Sequence, residues 1–215
     1  MRIDGDDDRR SPLIRLPPLA FSREDEGDDA DFYSVPRLEY HIDHGAIAAL
    51  TGLYREELPA GGAIIDLMSS WVSHLPADVA YGEVIGHGMN EEELAANPRL
   101  SRWFIQDLNR DSRLPLADEC IDAAMICVGV QYLKRPVAVL TEVARILRPG
   151  APVVISFSNR CFPTKAVAIW LDLDGGGHSE LIDLYLREAG FTEVSARRLA
   201  DGWLGDPMTA IIGRT

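Results

Sequence analysis

Short runs of apolar residues recur along the chain and predict strands. The runs at residues 61–68 and 82–90 predict strands that are covered on both faces, and three further strands are predicted at residues 102–109, 120–130 and 151–158. Residues 191–199 and 207–214 predict two more strands. The link between these last two is too short for a helical crossover, so they are predicted to run antiparallel.

Helices are predicted where apolar residues recur at three-to-four spacing. Four helices are predicted, within residues 36–59, 91–98, 136–147 and 179–190. Pro98 is predicted to end the second, and Ser179 to cap the start of the fourth. A crossover helix is also expected between the first two strands, either short or beginning at Pro76.

The alternation of strands and helices predicts the α/β class. The expected architecture is a doubly wound, Rossmann-like sheet of seven strands, mostly parallel, with an antiparallel last strand. Residues 32–215 are predicted to form this domain, with residues 32–60 as a helical cap before the first strand. Residues 1–31 combine acidic runs with prolines and predict an arm that is mobile or lies across the domain surface.

Composition favours a cytoplasmic protein. The chain has 215 residues, of which 47% are hydrophobic and 26% charged. No apolar run approaches the ~18 residues needed to span a bilayer, and the first residues lack the apolar core of a secretory signal. The net charge of −13 would repel a phosphate backbone, so a nucleic-acid partner is not expected.

Neither a disulfide framework nor a metal site is expected. The chain has three cysteines, an odd number without CxxC spacing. The sequence HIDH at residues 41–44 offers two histidines on one helical face but no clear third ligand. The sequence leaves a homodimer open.

The order of several motifs resembles the class I S-adenosylmethionine-dependent methyltransferases, in particular the group called type 11. The resemblance spans about residues 62–215. Its parts are AIIDLMSS, EVIGHGMNEEEL, FIQDLNRDSRLPLADECIDAAMICVGVQYL and, most specifically, LTEVARILRPGAPVVISF. The resemblance implies S-adenosylmethionine as cofactor and methyl transfer to a small organic molecule.

In a doubly wound sheet the ligand lies beyond the carboxyl ends of the strands. By resemblance, Asp66 is expected to bind the methionyl part of the cofactor. Asp107 and the backbone amide of Leu108 are expected to hydrogen-bond the edge of the adenine ring. Asp107 is also placed to cap a turn. Arg37 is expected to bind the cofactor carboxylate or else to be a surface arginine. The other cofactor-binding candidates are Met68, Ser69, Ser70, Gly88, Met89, Asn90 and Cys127.

Two departures from the family pattern bear on function. The loop LMSSWVSHLP has none of the usual glycines, so serine hydroxyls are expected to take their place. Gly88 stands where the family has an acid for the ribose, and Asn90 is the expected substitute. His87 either contacts the ribose or is a solvated surface residue.

These departures leave two classes of function open. One is a methyltransferase with a remodelled pocket, and the other is a catalytically inactive Rossmann-like module that binds a nucleotide or a protein. A nicotinamide dehydrogenase is disfavoured because no GxGxxG follows the first strand. Methyl transfer depends mainly on alignment in a dry pocket, so few catalytic groups are obligatory. The catalytic candidates are His41, Tyr132 and His178.

Overall fold

A seven-stranded sheet forms the centre of the fold in the computed structural model, which describes residues 16–215. The strands are β1 (Ala63–Leu67), β2 (Glu83–Gly88), β3 (Arg102–Ile105), β4 (Ala123–Cys127), β5 (Pro152–Phe157), β6 (Glu193–Ala200) and β7 (Met208–Arg214). Their order in the sheet is β3-β2-β1-β4-β5-β7-β6. The first five strands run parallel, and β7 is antiparallel to both β5 and β6. The predicted fold class is confirmed.

Helices cover both faces of this sheet. They are α1 (Asp29–Phe32), α2 (His44–Glu57), α3 (Glu91–Ala96), α4 (Pro136–Ile146), α5 (Ala168–Leu171) and α6 (Gly175–Glu188). One core lies under α2 and includes Ile64 of β1. The other lies under α4 and α6 and includes Ile65 and Leu67. Successive residues of β1 therefore face opposite cores, as alternation along a strand requires.

Two predicted helix starts were wrong, because an aspartate other than the predicted first residue caps each helix: Asp43 lies inside the first predicted range, and Asp174 lies before the second. Helix α2 begins at His44 rather than near residue 36, and the Asp43 carboxylate accepts the N–H of Ala46. Helix α6 begins at Gly175, and its cap is Asp174 rather than Ser179. Ser179 lies inside α6, where its hydroxyl donates back to the Gly175 carbonyl.

The expected crossover helix between β1 and β2 is replaced by an irregular loop over residues 68–82. Met68 and His74 in this loop have φ angles of 56° and 53°. These are left-handed conformations that a right-handed helix cannot contain. The prediction of a short helix here was wrong.

The predicted arm falls into two parts. Residues 1–15 lie outside the described residues. Residues 16–31 pack against the domain: Ala20 is buried, and its carbonyl accepts the N–H of Ile169. The Ser22 carbonyl accepts the N–H of Ala168 in the same way. This part of the chain is thus held by backbone hydrogen bonds to the start of α5.

A buried group of charges attaches the same segment more firmly. The Lys165 ammonium is fully buried and lies 3.0 Å from Asp25 and 3.1 Å from Asp29. Arg23 approaches the other oxygen of Asp29 at 2.9 Å. Burial would raise the pKa of Asp29, but its hydrogen bonds with Arg23, Asn109 and Lys165 hold that pKa below the usual value.

Within residues 16–215, no helix is both long and apolar enough to cross a membrane.

We expect Lys165→Ala to lower the free energy of unfolding by about 3 kcal/mol or more, because it leaves Asp29 buried with less compensating charge. The matched change Lys134→Ala breaks the exposed pair with Glu26 and should cost less than about 1 kcal/mol. Urea denaturation of both variants measures the difference. Equal losses would show that the buried lysine does not hold the segment.

Candidate active site

A cavity of about 350 Å³ opens at the carboxyl ends of β1 to β4. Its wall combines the loops after these strands with residues 29–41, which approach from the other side. The sequence-predicted residues on the wall are Arg37, His41, Met68, Ser69, Ser70, Gly88, Met89, Asn90, Asp107, Leu108, Cys127 and Tyr132. Asp66 and His178 are not on this wall.

His87 holds three strand ends together. Its ring is only 2% exposed and lies within β2. Nδ1 accepts the N–H of Met68 at 3.1 Å, so Nε2 carries the proton and donates to the Gln106 carbonyl at 2.9 Å. Burial lowers the pKa of His87 to about 4, so the ring is neutral near pH 7. The prediction of a solvated surface histidine was wrong, because the residue lies in a strand between two loops that it bridges.

The glycine-free loop after β1 approaches β2 very closely. The Ser69 N–H donates to the His87 carbonyl at 2.7 Å. A Cβ atom placed on Gly88 would lie 2.7 Å from the Ser69 carbonyl oxygen, which is too close for any side chain. Gly88 therefore makes room for the loop, and an acid for the ribose could not stand at this position. The loop turns at Met68 with a positive φ, where glycine would be less strained.

Asp66 is buried on the α2 face of β1, away from the main cavity. It lines a smaller adjoining cavity of about 40 Å³. Its carboxylate accepts the Ser69 hydroxyl at 2.6 Å and is also hydrogen-bonded to Ser73. Burial raises the pKa of Asp66 to about 7. Asp66 follows Ile64 by two residues, so strand alternation turns it toward the same side.

Asn90 and Glu93 connect α3 to the segment that faces it. The Asn90 side chain caps α3 by accepting the Glu93 N–H, and its amide N–H groups donate to the carbonyls of Tyr33 and Ser34. Both Asn90 donors are therefore occupied. Glu93 accepts the Arg37 N–H at 2.7 Å and the Ser70 hydroxyl at 2.8 Å.

Arg37 and Asp107 each have partners within the protein. The Arg37 guanidinium donates to the Phe32 carbonyl at 3.0 Å and lies 4.6 Å above the Phe32 ring. Among residues 16–215, no carboxylate oxygen lies within 4.0 Å of it. Asp107 accepts the Asn109 N–H at 2.8 Å, so it caps a turn while also lining the cavity.

Two of the three catalytic candidates lie on the cavity wall. Burial lowers the pKa of His41, which favours the neutral ring. Burial raises the pKa of Tyr132 to about 12, so its phenol keeps its proton, and the oxygen accepts the Phe162 N–H. His178 lies elsewhere: its ring stacks on Trp170 at 3.8 Å and bonds the Trp170 carbonyl. The expectation that His178 reaches the pocket was wrong, because its position on α6 places the ring against Trp170 and Phe157.

Burial also raises the pKa of the Cys127 thiol to about 12, which keeps the thiol protonated.

The cavity wall also includes four residues that were not sequence candidates: Asp29, Glu93, Asn109 and Phe162. Only Glu93 had a local signal, since N-x-x-E at residues 90–93 is a capping-box pattern. Within residues 16–215, no group of three or more metal-ligating side chains converges.

Comparison with known proteins identifies the domain. Residues 69–155 match the family described as "Methyltransferase domain". The matched region, which is less than half of the chain, is similar to the methyltransferase domains of type 11. The family match and the similar folds confirm the predicted family and, with it, S-adenosylmethionine as its cofactor.

Two curated methyltransferases illustrate the sequence likeness. The chain is 26% identical over 136 residues to a malonyl-[acyl-carrier protein] O-methyltransferase of Hahella chejuensis, covering 60% of this chain and 48% of that protein. It is 46% identical over 57 residues to a demethylmenaquinone methyltransferase of a Mycobacterium species, covering 25% of each. The matches thus span about half or less of these relatives.

Solved structures support the methyltransferase fold. One is the complex between the Haloferax volcanii Trm112 methyltransferase activator and a methyltransferase, with a TM-score of 0.60, 18% identity, and coverage of 80% of this chain and 90% of that chain. Another is an S-adenosylmethionine-dependent methyltransferase from Mesorhizobium loti, with a TM-score of 0.54, 18% identity, and coverage of 78% and 98%.

Asp66→Asn should stabilise the protein increasingly as pH rises. The Asp66 pKa moves from a usual 3.8 to about 7 on folding, so the folded state holds the extra proton between these values and stability falls with rising pH. We expect the variant to gain about 2–4 kcal/mol over the unsubstituted protein at pH 8 and less at pH 5. Urea denaturation at both pH values measures this. A gain independent of pH would contradict the assignment.

Proposed function

We propose that this protein transfers a methyl group from S-adenosylmethionine to a small organic molecule. The observation that carries the proposal is the cavity at the carboxyl ends of β1 to β4 in a type 11 methyltransferase domain. Its volume of about 350 Å³ falls within the range of small-ligand pockets. Ligands of doubly wound folds bind at this edge of the sheet.

The cofactor is proposed to lie along the loops after β1, β2 and β3. On the adenine side, Asp107 and Leu108 line the cavity, and within residues 16–215 no protein acceptor satisfies the Leu108 N–H. On the methionyl side, Ser69 and Ser70 follow β1, and Arg37 is available for the cofactor carboxylate. Asp66 is proposed to act through its hydrogen bond to Ser69 rather than by direct contact.

The acceptor is proposed to lie against the wall that residues 33–41 and Phe162 provide. Tyr33, Tyr40 and Phe162 offer aromatic surface there, which suits a planar or apolar acceptor. His41, neutral because its pKa is lowered, is placed to take a proton from an acidic O–H, N–H or C–H group. By their names, the relatives are a malonyl-[acyl-carrier protein] O-methyltransferase and a demethylmenaquinone methyltransferase, so both kinds of acceptor are worth testing.

A second candidate is cofactor binding without methyl transfer. The occupied amide of Asn90 favours it, because neither Asn90 nor Gly88 then offers the ribose a free donor or a carboxylate. The likeness to a methyltransferase bound to its activator also suggests a protein partner. Measuring binding and turnover separately distinguishes the two candidates.

We expect the protein to bind S-adenosylmethionine and its demethylated product with micromolar dissociation constants in isothermal titration calorimetry. Methyl transfer is measured with methyl-labelled cofactor and a panel of malonyl thioesters, phenols and quinols. Binding with no turnover on the panel favours the second candidate. Absence of binding at millimolar ligand would overturn both.

His41→Gln should lower kcat by roughly 10²-fold or more, because it removes the proposed base. For the unsubstituted enzyme, kcat should fall as pH drops through the His41 pKa, which lies below its usual 6.5, since protonation removes the basic form. The variant should lack this limb of the pH profile. His178→Gln is the matched control and should leave kcat nearly unchanged, because its ring faces Trp170. A larger loss in the control would contradict the assignment of His41.

A further inference from the structure

Glu93 is a buried carboxylate on the wall of the main cavity. It is 8% exposed and comes from the first turn of α3. One oxygen accepts a hydrogen bond from the backbone N–H of Arg37, and the other accepts one from the Ser70 hydroxyl. Both oxygens therefore accept hydrogen bonds from uncharged donors.

Glu93 differs from the other carboxylates on the cavity wall because it has neither a nearby cation in the described part of the chain nor exposure to water. Asp29 is neutralised by Arg23 and Lys165, at 2.9 and 3.1 Å. Asp107 has the Arg110 guanidinium at 3.7 Å. Glu39 is exposed to water. For Glu93, no side-chain nitrogen of an arginine, lysine or histidine among residues 16–215 lies within 4.0 Å.

A buried carboxylate without a counter-charge is costly, and hydrogen bonds from neutral groups offset only part of that cost. Positive charge brought into the adjoining cavity would stabilise it. The Arg37 guanidinium does not supply this charge, because it is directed to the Phe32 and Val35 carbonyls. The position is therefore suited to a cationic ligand group.

We propose that Glu93 binds the positively charged part of the cofactor. The inference rests on the proposed function and adds a residue to it. S-adenosylmethionine carries two cationic groups, the sulfonium and the α-ammonium, and either could complete a charge-assisted contact with Glu93. Through its bond to the Ser70 hydroxyl, Glu93 also links this charge recognition to the glycine-free loop.

The test compares Glu93→Gln with the unsubstituted protein by isothermal titration of three ligands. S-adenosylmethionine carries both cations, S-adenosylhomocysteine only the ammonium, and 5′-methylthioadenosine neither. We expect Glu93→Gln to weaken S-adenosylmethionine binding about tenfold or more and 5′-methylthioadenosine binding less than about twofold. S-adenosylhomocysteine then identifies the group: a parallel loss indicates the ammonium, and an unchanged affinity indicates the sulfonium.

Two variants control the result. Glu92→Gln makes the same charge change at an exposed site on α3 and should leave all three affinities unchanged. Ser70→Ala removes a hydrogen bond to Glu93 but keeps its charge, so the preference for the cationic ligands should persist. Thermal denaturation checks that each variant is folded. If Glu93→Gln does not fold, Glu93→Ala, which also removes the charge, replaces it, and the same unequal losses are required.

An equal loss for all three ligands would overturn the inference, because Glu93 would then only shape the pocket. No loss for any ligand, or an equal effect of Glu92→Gln, would also overturn it while leaving the proposed function intact. If the unsubstituted protein bound none of the three ligands, the proposed function itself would fail.

Discussion

One uncharged imidazole holds the ends of the central strands together. His87 accepts a backbone N–H from the loop after β1 and donates to a carbonyl of the loop after β3. It can do both only as a neutral ring with its proton on Nε2, and burial secures that state by lowering its pKa to about 4. The loop after β1 then lies so close to β2 that only glycine fits at residue 88. The shape of the cavity follows from this contact.

The absence of glycines after β1 and the absence of an acid at the end of β2 are therefore linked. The loop turns at Met68 with an unfavourable φ, and the Met68 N–H and the Ser69 hydroxyl hold the turn in place by donating to His87 and Asp66. The close approach removes space for a side chain at the end of β2. Glu93, in the first turn of α3, places a carboxyl group on the cavity wall instead. Two departures that look separate in the sequence have one structural cause.

The wall opposite the strands is also fixed by charge and hydrogen bonds. Lys165 and Arg23 hold Asp29 at one end of residues 29–41, and Asn90 and Glu93 hold the backbone further along. These contacts join the cavity wall to α3 and to the chain before α5. The cavity is thus formed from both sides by groups whose own positions are constrained, which favours a preorganised pocket.

Sequence alone determined the seven strands, most helices, the fold class and the edge of the sheet where the cavity lies, because apolar periodicity and strand–helix alternation are carried by near neighbours. Only the tertiary structure decided which polar groups meet there. Glu93 bonds residues 23 and 56 positions away in the chain, and no local pattern encodes such pairings. The same holds for the burial of His87, the stacking of His178 on Trp170 and the aspartate caps that set the starts of α2 and α6. Strand alternation placed Asp66 on the α2 face, but only the tertiary structure showed that it lines the smaller adjoining cavity and not the main one.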